Sequence, residues 1–176
     1  MLRETVGAAA GVSVPLEAGS VEAIFSYGDV ISHVHDAYQA VFHEAARLLS
    51  PGGFLACELD GKWELDMLLH NPEERRRAQA AKGVGHLRIW HDIPCKTFTV
   101  PELRRVIQTA GLRLVSIRGV NILHCLLPEP VLMGLPQDVG AGWRAASATL
   151  QAVDRAVGRI PWCYRLASTR LVVAGK

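Results

Sequence analysis

The sequence predicts an α/β fold with a largely parallel sheet, on three observations. Short runs of apolar residues alternate along the chain with segments of helical periodicity. The runs are almost continuously apolar, which is typical of strands that are covered on both faces. Turn residues separate successive elements. Regular alternation of this kind is characteristic of α/β domains.

Four strands and two well-delimited helices carry this prediction. The strands are predicted at 21–27 (VEAIFSY), 54–59, 112–120 and 169–174. The first helix is predicted to begin with Asp36 as N-cap and Gln39 three residues later, and to end at the SPGG run of 50–53. The second is predicted to begin with a capping box of Thr99 and Glu102 and to end at Gly111.

Two stretches, about 62–98 and 121–168, interrupt the alternation and are predicted to be insertions in one domain that spans 1–176. Each is predicted to contain a helix, and long insertions of this kind often cover an active site. The tryptophans lie in or beside them, at Trp63, Trp90, Trp143 and Trp162. They are compatible with a lid over an apolar acceptor, or with a small second core under the loops.

Composition excludes several classes of protein. A chain of 176 residues with 49% hydrophobic and 20% charged residues is typical of one globular domain. The net charge is +2 and the longest basic run, at 75–77, follows two glutamates, so no nucleic-acid surface is predicted.

Neither a membrane span nor a secretion signal is predicted, because the apolar runs are too short. The cysteines, Cys57, Cys95, Cys125 and Cys163, form no C-x-x-C pair. We expect reduced thiols in a cytoplasmic protein.

Several segments of the chain resemble a known protein family. The segment 14–63 is similar to the centre of class I S-adenosylmethionine (SAM)-dependent methyltransferases of the type 11 and ubiquinone/menaquinone-biosynthesis kind. The residues RLLSPGG at 47–53 match the family's R-x-L-x-P-G-G motif closely. The helix at 99–111 is similar to the F-T-x-x-E-L…A-G-F element, and 172–176 is similar to the closing V-V-A-x-K pattern.

The resemblance implies a Rossmann-like sheet ordered 3-2-1-4-5-7-6, SAM as cofactor and a small-molecule methyl acceptor. This chain would supply strands 4, 5, 6 and 7. The family's G-x-G-x-G loop and the acidic residue that ends strand 2 have no counterpart, and the aspartate before the adenine turn falls near Ala10. We therefore expect a truncated methyltransferase domain that is incomplete for cofactor binding. The alternative is a non-catalytic remnant or an accessory subunit.

The resemblance also implies which residues meet the cofactor. Ser26, Tyr27 and Gly28 lie at the carboxyl end of strand 4, where the family presents its backbone to the methionine part of SAM. Val12 and Ser13 align with the turn that lines adenine, although an ordinary loop is the alternative for these two.

His33 is the candidate catalytic residue, as a base or a substrate contact near the methyl group; a packed or surface histidine is the alternative. His33, His35 and Asp36 could ligate a metal, but no further ligands recur at zinc spacing, so no metal site is predicted. His91 and Cys95 lie four residues apart and are expected to be structural.

The first predicted strand also indicates how the chain could associate with another segment or a second copy. If the apolar run 21–27 is an edge strand, each large side chain left in water loses about 1.5–3 kcal/mol of burial free energy. Such an edge strand can also pair with another chain. We expect the N-terminal segment to fold over it, or a second copy to pair with it. The third possibility is a truncated gene product of poor stability.

Overall fold

The computed structural model describes residues 13–90, 93–123, 126 and 141–176. Six strands and six helices are described, and they are labelled here in chain order. The order is β1 (Val21–Ser26), α1 (Val30–His33), α2 (Tyr38–Leu48), β2 (Leu49–Asp60), α3 (Leu65–His70), α4 (Pro72–Ala80), β3 (Leu87–Trp90), β4 (Ile93–Lys96), α5 (Val100–Thr109), β5 (Arg113–Val120), α6 (Ala141–Val157) and β6 (Thr169–Gly175). Short 3-10 turns at His35–Ala37 and Cys163–Leu166 complete the set.

Four of the strands form one sheet in the order β1-β2-β6-β5. β1 runs parallel to β2, whereas β6 runs antiparallel to both β2 and β5. The α/β class and the order expected for strands 4, 5, 7 and 6 are confirmed. The described sheet is mixed rather than largely parallel, because β6 returns from β5 in the opposite direction. β3 and β4 form a separate two-stranded antiparallel sheet.

The main hydrophobic core lies between the sheet and helices α2 and α5. It is built from residues that alternate along β2 and β6 and repeat along the helices, so each element contributes one face. Its largest fully buried side chains are Phe42, Leu49, Leu55, Leu59, Phe98, Leu103, Ile107 and Val172.

The opposite face of the sheet is open among the described residues. Phe25 is 59% exposed and Tyr27 54% exposed. The Phe25 ring stacks on Tyr27 at 6.2 Å and meets Phe54 edge-on at 5.7 Å between centroids. The prediction that strand 21–27 is covered on both faces is wrong among the described residues, because more than half of the Phe25 side chain is exposed. The predicted cover by the N-terminal segment or a second copy lies outside the described residues.

The start of α2 corrects a second prediction. Asp36 does not cap the helix: it lies inside the 3-10 turn His35–Ala37, and the N-cap position is Ala37, which makes no side-chain cap bond. His35 adopts a left-handed conformation with φ of 49°. This reversal brings the chain into the helix through the 3-10 turn, where Ala37 N–H donates to Val34 O.

The RLLSPGG motif joins α2 to the sheet. The guanidinium of Arg47 pairs with Glu44 at 2.7 Å and donates to the carbonyl oxygens of Val14 and Leu16, so it holds the segment before β1 against the helix. Arg47, together with the Val14 N–H, lowers the pKa of Glu44 to about 2. α2 ends before the motif's proline, as predicted. A Cβ on Gly53 would lie 2.9 Å from Glu22 O, so glycine lets β1 and β2 approach.

α5 begins with the predicted capping box. Thr99 Oγ1 accepts from Glu102 N–H, and the Glu102 carboxylate accepts from Thr99 N–H. Gly111 follows the helix with φ of 82°, which is the predicted C-terminal reversal. Both ends of α5 are therefore set by local sequence.

Arg170 joins the sheet to two neighbouring loops from a fully buried position. It is 1% exposed, and its guanidinium donates to the carbonyl oxygens of Tyr164, Arg165 and Phe98. Burial lowers its pKa to about 10, so it stays charged at neutral pH. The bonds connect β6 with the 3-10 turn before it and with the chain that enters α5.

None of the helices in the described ranges is long and apolar enough to cross a membrane.

Replacing Thr99 with alanine removes the capping hydroxyl and is expected to lower the free energy of unfolding by about 0.5–2 kcal/mol. Thr99→Ser keeps the hydroxyl and should retain most of the stability. Urea unfolding of both variants measures the difference. Equal stability of the alanine and serine variants would show that the cap contributes little.

Replacing Arg170 with methionine keeps the length of the side chain but leaves three carbonyl oxygens without their donor. We expect a loss of roughly 2–5 kcal/mol in the free energy of unfolding. Arg118→Met, at an exposed position on β5, is the matched control and should change stability by less than about 0.5 kcal/mol. Similar losses in the two variants, measured by chemical denaturation, would contradict this role for Arg170.

Candidate functional site

A cavity of about 260 Å³ opens where β1 and β2 end and β6 begins. Because β1 and β2 are parallel, their carboxyl ends meet at one edge of the sheet, which is where α/β sheets bind ligands. Its volume is just below the ~300–1,000 Å³ of most ligand pockets. The lining residues are Asp29, His33, Asp60, Glu64, Asp66, Arg88, Cys95, Ser168 and Thr169.

Asp29 occupies an unusual backbone position in this cavity. It has φ of 59° and follows Gly28, which has φ of 73°, so two consecutive residues are left-handed. Aspartate tolerates this conformation better than most side chains, but it still carries strain, and such strain clusters at functional sites. The Oδ1 atom is buried and has no hydrogen-bond partner among the described residues.

The surroundings of Asp29 raise its pKa to about 6. Burial is the largest cause, the carboxylates of Asp60 and Glu58 add to it, and His33 opposes it. Burial and like charges both disfavour the ionised form. Asp29 therefore gains and loses its proton close to neutral pH, as acid–base and ligand-binding carboxyls often do.

The other carboxylates of the cavity have partners. Asp60 accepts a hydrogen bond from the Cys95 thiol, and its backbone N–H donates to Ser32 Oγ. Burial, followed by this bond to Asp60, raises the pKa of Cys95, so Cys95 is a neutral donor rather than a nucleophile.

Glu64 is paired with Arg88 at 2.6 Å, and Asp66 with His70 at 3.0 Å. Arg88 comes from β3 and is itself almost fully buried. It also lies 3.4 Å from Glu74 of α4, so one guanidinium joins the cavity lining to two neighbouring elements. The β3–β4 hairpin is thereby attached to the mouth of the sheet.

The cofactor-binding candidates lie at the end of β1 and before it. Ser26 ends the strand and is half-buried, while Tyr27 is exposed. The Gly28 N–H donates to Glu58 Oε2 at 2.9 Å, which ties the chain after β1 to β2. Ser13 is exposed at the start of the described chain, and Val12 lies outside the described residues. The role of these residues towards SAM stays a prediction.

The structure places His33 in the cavity lining, on the four-residue helix α1. Its side chain is exposed, and Nδ1 lies 3.3 Å from Pro94 O. His35 and Asp36 do not line the cavity with it. Across the described ranges, no group of three or more His, Cys, Asp or Glu side chains could hold a metal. His91 lies outside these ranges, so its proximity to Cys95 stays untested.

The two tryptophans whose side chains are described stand away from the cavity lining. Trp63 is half-buried with Lys62 Nζ 5.4 Å from its ring centroid, and Trp162 is exposed. The side chains of Trp90 and Trp143 are not described.

Sequence reasoning missed the two most informative carboxyls, Asp29 and Asp60. Asp60 directly follows the predicted strand 54–59, and Asp29 comes two residues after the predicted strand 21–27. Polar residues at the carboxyl ends of adjacent parallel strands are the pattern that would have found them.

Comparison with known proteins agrees with the fold. Residues 4–57 match the family model described as a methyltransferase domain. This match covers β1, α1, α2 and most of β2. No curated protein matches the chain.

Several solved structures share the fold at low sequence identity. One is a SAM-dependent methyltransferase from Methanosarcina mazei, with 12% identity and a TM-score of 0.53. A possible histamine N-methyltransferase from Thermotoga maritima has 14% identity and a TM-score of 0.52. A putative methyltransferase of Haloferax volcanii, in complex with the Trm112 methyltransferase activator, has 17% identity and a TM-score of 0.50.

Each of these comparisons covers 94% of this chain but only 57–64% of the other, so the chain spans less than two thirds of the length of the structures it matches. The methyltransferase-domain model matches residues 4–57, and the solved structures show that the chain shares the fold of SAM-dependent methyltransferases. Both findings agree with the resemblance that the sequence motifs carry.

Proposed function

We propose that the protein takes part in SAM-dependent methylation of a small molecule. The acceptor would occupy the cavity around Asp29, and the cofactor would lie against the carboxyl end of β1 at Ser26, Tyr27 and Gly28. The observation that carries the proposal is the cavity itself, at the carboxyl ends of two parallel strands.

Methyl transfer requires mainly that two reactants are held in line and that water is excluded. SAM supplies an electrophilic methyl group, so the protein needs a general base only when the acceptor carries a proton. Asp29, with a pKa raised to about 6, and His33, on the same side of the cavity, are the described groups able to take that proton.

The residues at the end of β1 suit one side of a cofactor site. Nothing lies within 4 Å of the place where a Cβ on Gly28 would stand, so a ligand can approach the backbone closely. The exposed rings of Phe25 and Tyr27 offer apolar surface beside it. Among the described residues no strand pairs with the outer edge of β1. We therefore infer that the other side of the crevice comes from elsewhere, and that cofactor binding by these residues alone is incomplete.

An accessory, non-catalytic role is the second candidate. The observation that favours it is that, among the described residues, β1 forms one side of the cofactor crevice without a pairing strand on its outer edge. Such a protein would keep the sheet and the cavity without transferring methyl groups.

Calorimetric titration of the 176-residue chain with S-adenosylhomocysteine separates the two candidates. Binding with a dissociation constant in the micromolar range, ~8 kcal/mol, is expected of a methyltransferase. An absence of binding at millimolar ligand would show that the 176 residues do not form a complete cofactor site and would exclude methyl transfer by this chain alone.

If S-adenosylhomocysteine binds, Gly28→Val should weaken its binding by about tenfold or more, ~1.4 kcal/mol. The reason is that the new side chain fills the open space beside the end of β1. Gly83→Val is the matched control: Gly83 has φ of 75° and equally open surroundings, but it lies in the loop between α4 and β3. The two variants should lose similar stability. A lower cofactor affinity of the Gly28 variant alone would therefore result from the position of Gly28 beside the cofactor. Equal affinities would contradict the proposed cofactor position.

A further inference from the structure

We propose that the cavity binds a small molecule through a protonated amine, which is held by the negative charge of the Asp29 carboxylate. The inference names the class of methyl acceptor and in that respect rests on the proposed function. It concerns only described residues and is testable without the cofactor.

The first argument is the unused hydrogen-bonding capacity of the cavity. A buried carboxylate oxygen without a donor is costly, roughly 1–3 kcal/mol or more for a charged group. The described protein supplies donors for the neighbouring carboxylates: Cys95 for Asp60 and Arg88 for Glu64. It supplies none for Asp29 Oδ1. Because Oδ1 itself is shielded from solvent, an ammonium group in the cavity would offset the charge of this carboxylate without bonding to Oδ1.

The second argument is that the local backbone keeps this carboxylate available. Asp29 stands at the N-cap position of α1, where an aspartate side chain normally accepts from the first turn of the helix. Here the Asp29 backbone oxygen accepts from Ser32 N–H at 2.8 Å and from His33 N–H at 3.2 Å, and the side chain makes no cap bond. Asp29 is a lining residue of the cavity, and its side chain is not used as a helix cap.

The third argument is the sign of the charge. Four carboxyl groups line the cavity against one permanent cation, Arg88. The Arg88 guanidinium forms a salt bridge with Glu64 at 2.6 Å. A carboxylate or phosphate ligand would meet like charge here, whereas an ammonium group would find complementary charge and an acceptor.

The same geometry predicts how binding depends on pH. The titratable groups that face Asp29 are Glu58 and Asp60 from β2, His33 from α1 and Cys95 from β4. The pKa of Asp29 is raised to about 6, so the carboxylate that attracts an amine is present above pH 6 and is lost as the pH falls below it. Amine affinity should therefore fall on acidification.

The test uses three probes of one shape: 2-phenylethylamine, 2-phenylethanol and 3-phenylpropanoate. Each is titrated into the full 176-residue chain at pH 7.5 and followed by NMR chemical-shift changes. The amine should shift the resonances of residues at the ends of β1 and β2 and bind at least about tenfold more tightly than the alcohol or the acid. Equal binding of the three probes, or amine binding elsewhere, would overturn the inference.

Asp29→Asn is the decisive variant. Asparagine also tolerates the left-handed conformation, so the fold should persist, which circular dichroism checks. The substitution removes the charge and should lower amine affinity by about tenfold or more and abolish the affinity loss near pH 6. Asp36→Asn, at an exposed carboxyl group outside the cavity lining, is the control and should change the affinity less than about twofold. Unchanged amine binding by folded Asp29→Asn would refute the role of Asp29.

The outcomes separate this inference from the proposed function. Binding of S-adenosylhomocysteine without selective amine binding would leave the methyltransferase function standing and remove the amine as acceptor. Selective amine binding through Asp29 without cofactor binding would establish an amine site and remove methyl transfer. A divalent cation that competes with the amine, tested with magnesium, would assign the carboxylates to a metal instead.

Discussion

The pairing of β2 is the constraint on which the rest of the structure depends. β2 runs parallel to β1 on one side and antiparallel to β6 on the other. Its carboxyl end therefore meets the carboxyl end of β1 and the start of β6 at a single edge of the sheet. The core formed with α2 and α5 fixes this register, and Arg170 fastens the same end of β6 to the neighbouring loops.

That geometry produces the chemistry of the cavity. Asp29 and Asp60 come from chain segments 31 residues apart and meet because the two strands are parallel. Partial burial and neighbouring carboxylates oppose ionisation of Asp29. Its side chain makes no cap bond to the helix that follows it. The cavity thus contains a carboxyl with a raised pKa and an unused acceptor. The β3–β4 hairpin, held through Arg88 and Glu64, borders it.

Some helices end at residues that local sequence determines, and the sequence predicts these ends well. It predicts features that depend on distant contacts less well. The capping box of Thr99 and Glu102 and the SPGG stop after α2 are local, and both were predicted correctly. Asp36 looked like a cap by spacing alone, but the reversal at His35 carries the chain into α2 by another route. The carboxyl pair Asp29 and Asp60 depends on strand pairing, so residue spacing did not reveal it. The short helix α1 has too few residues to show a period.

The central claim is that Asp29 is a partly buried carboxyl in a ligand cavity at the end of the sheet, and that its Oδ1 atom has no hydrogen-bond partner among the described residues. The most direct measurement is an NMR titration of the Asp29 side-chain carboxyl carbon in the full chain. We predict a midpoint near pH 6 that moves lower when the cavity is occupied by an amine. A midpoint near the ordinary value of 3.8, unchanged by any amine, would contradict the account.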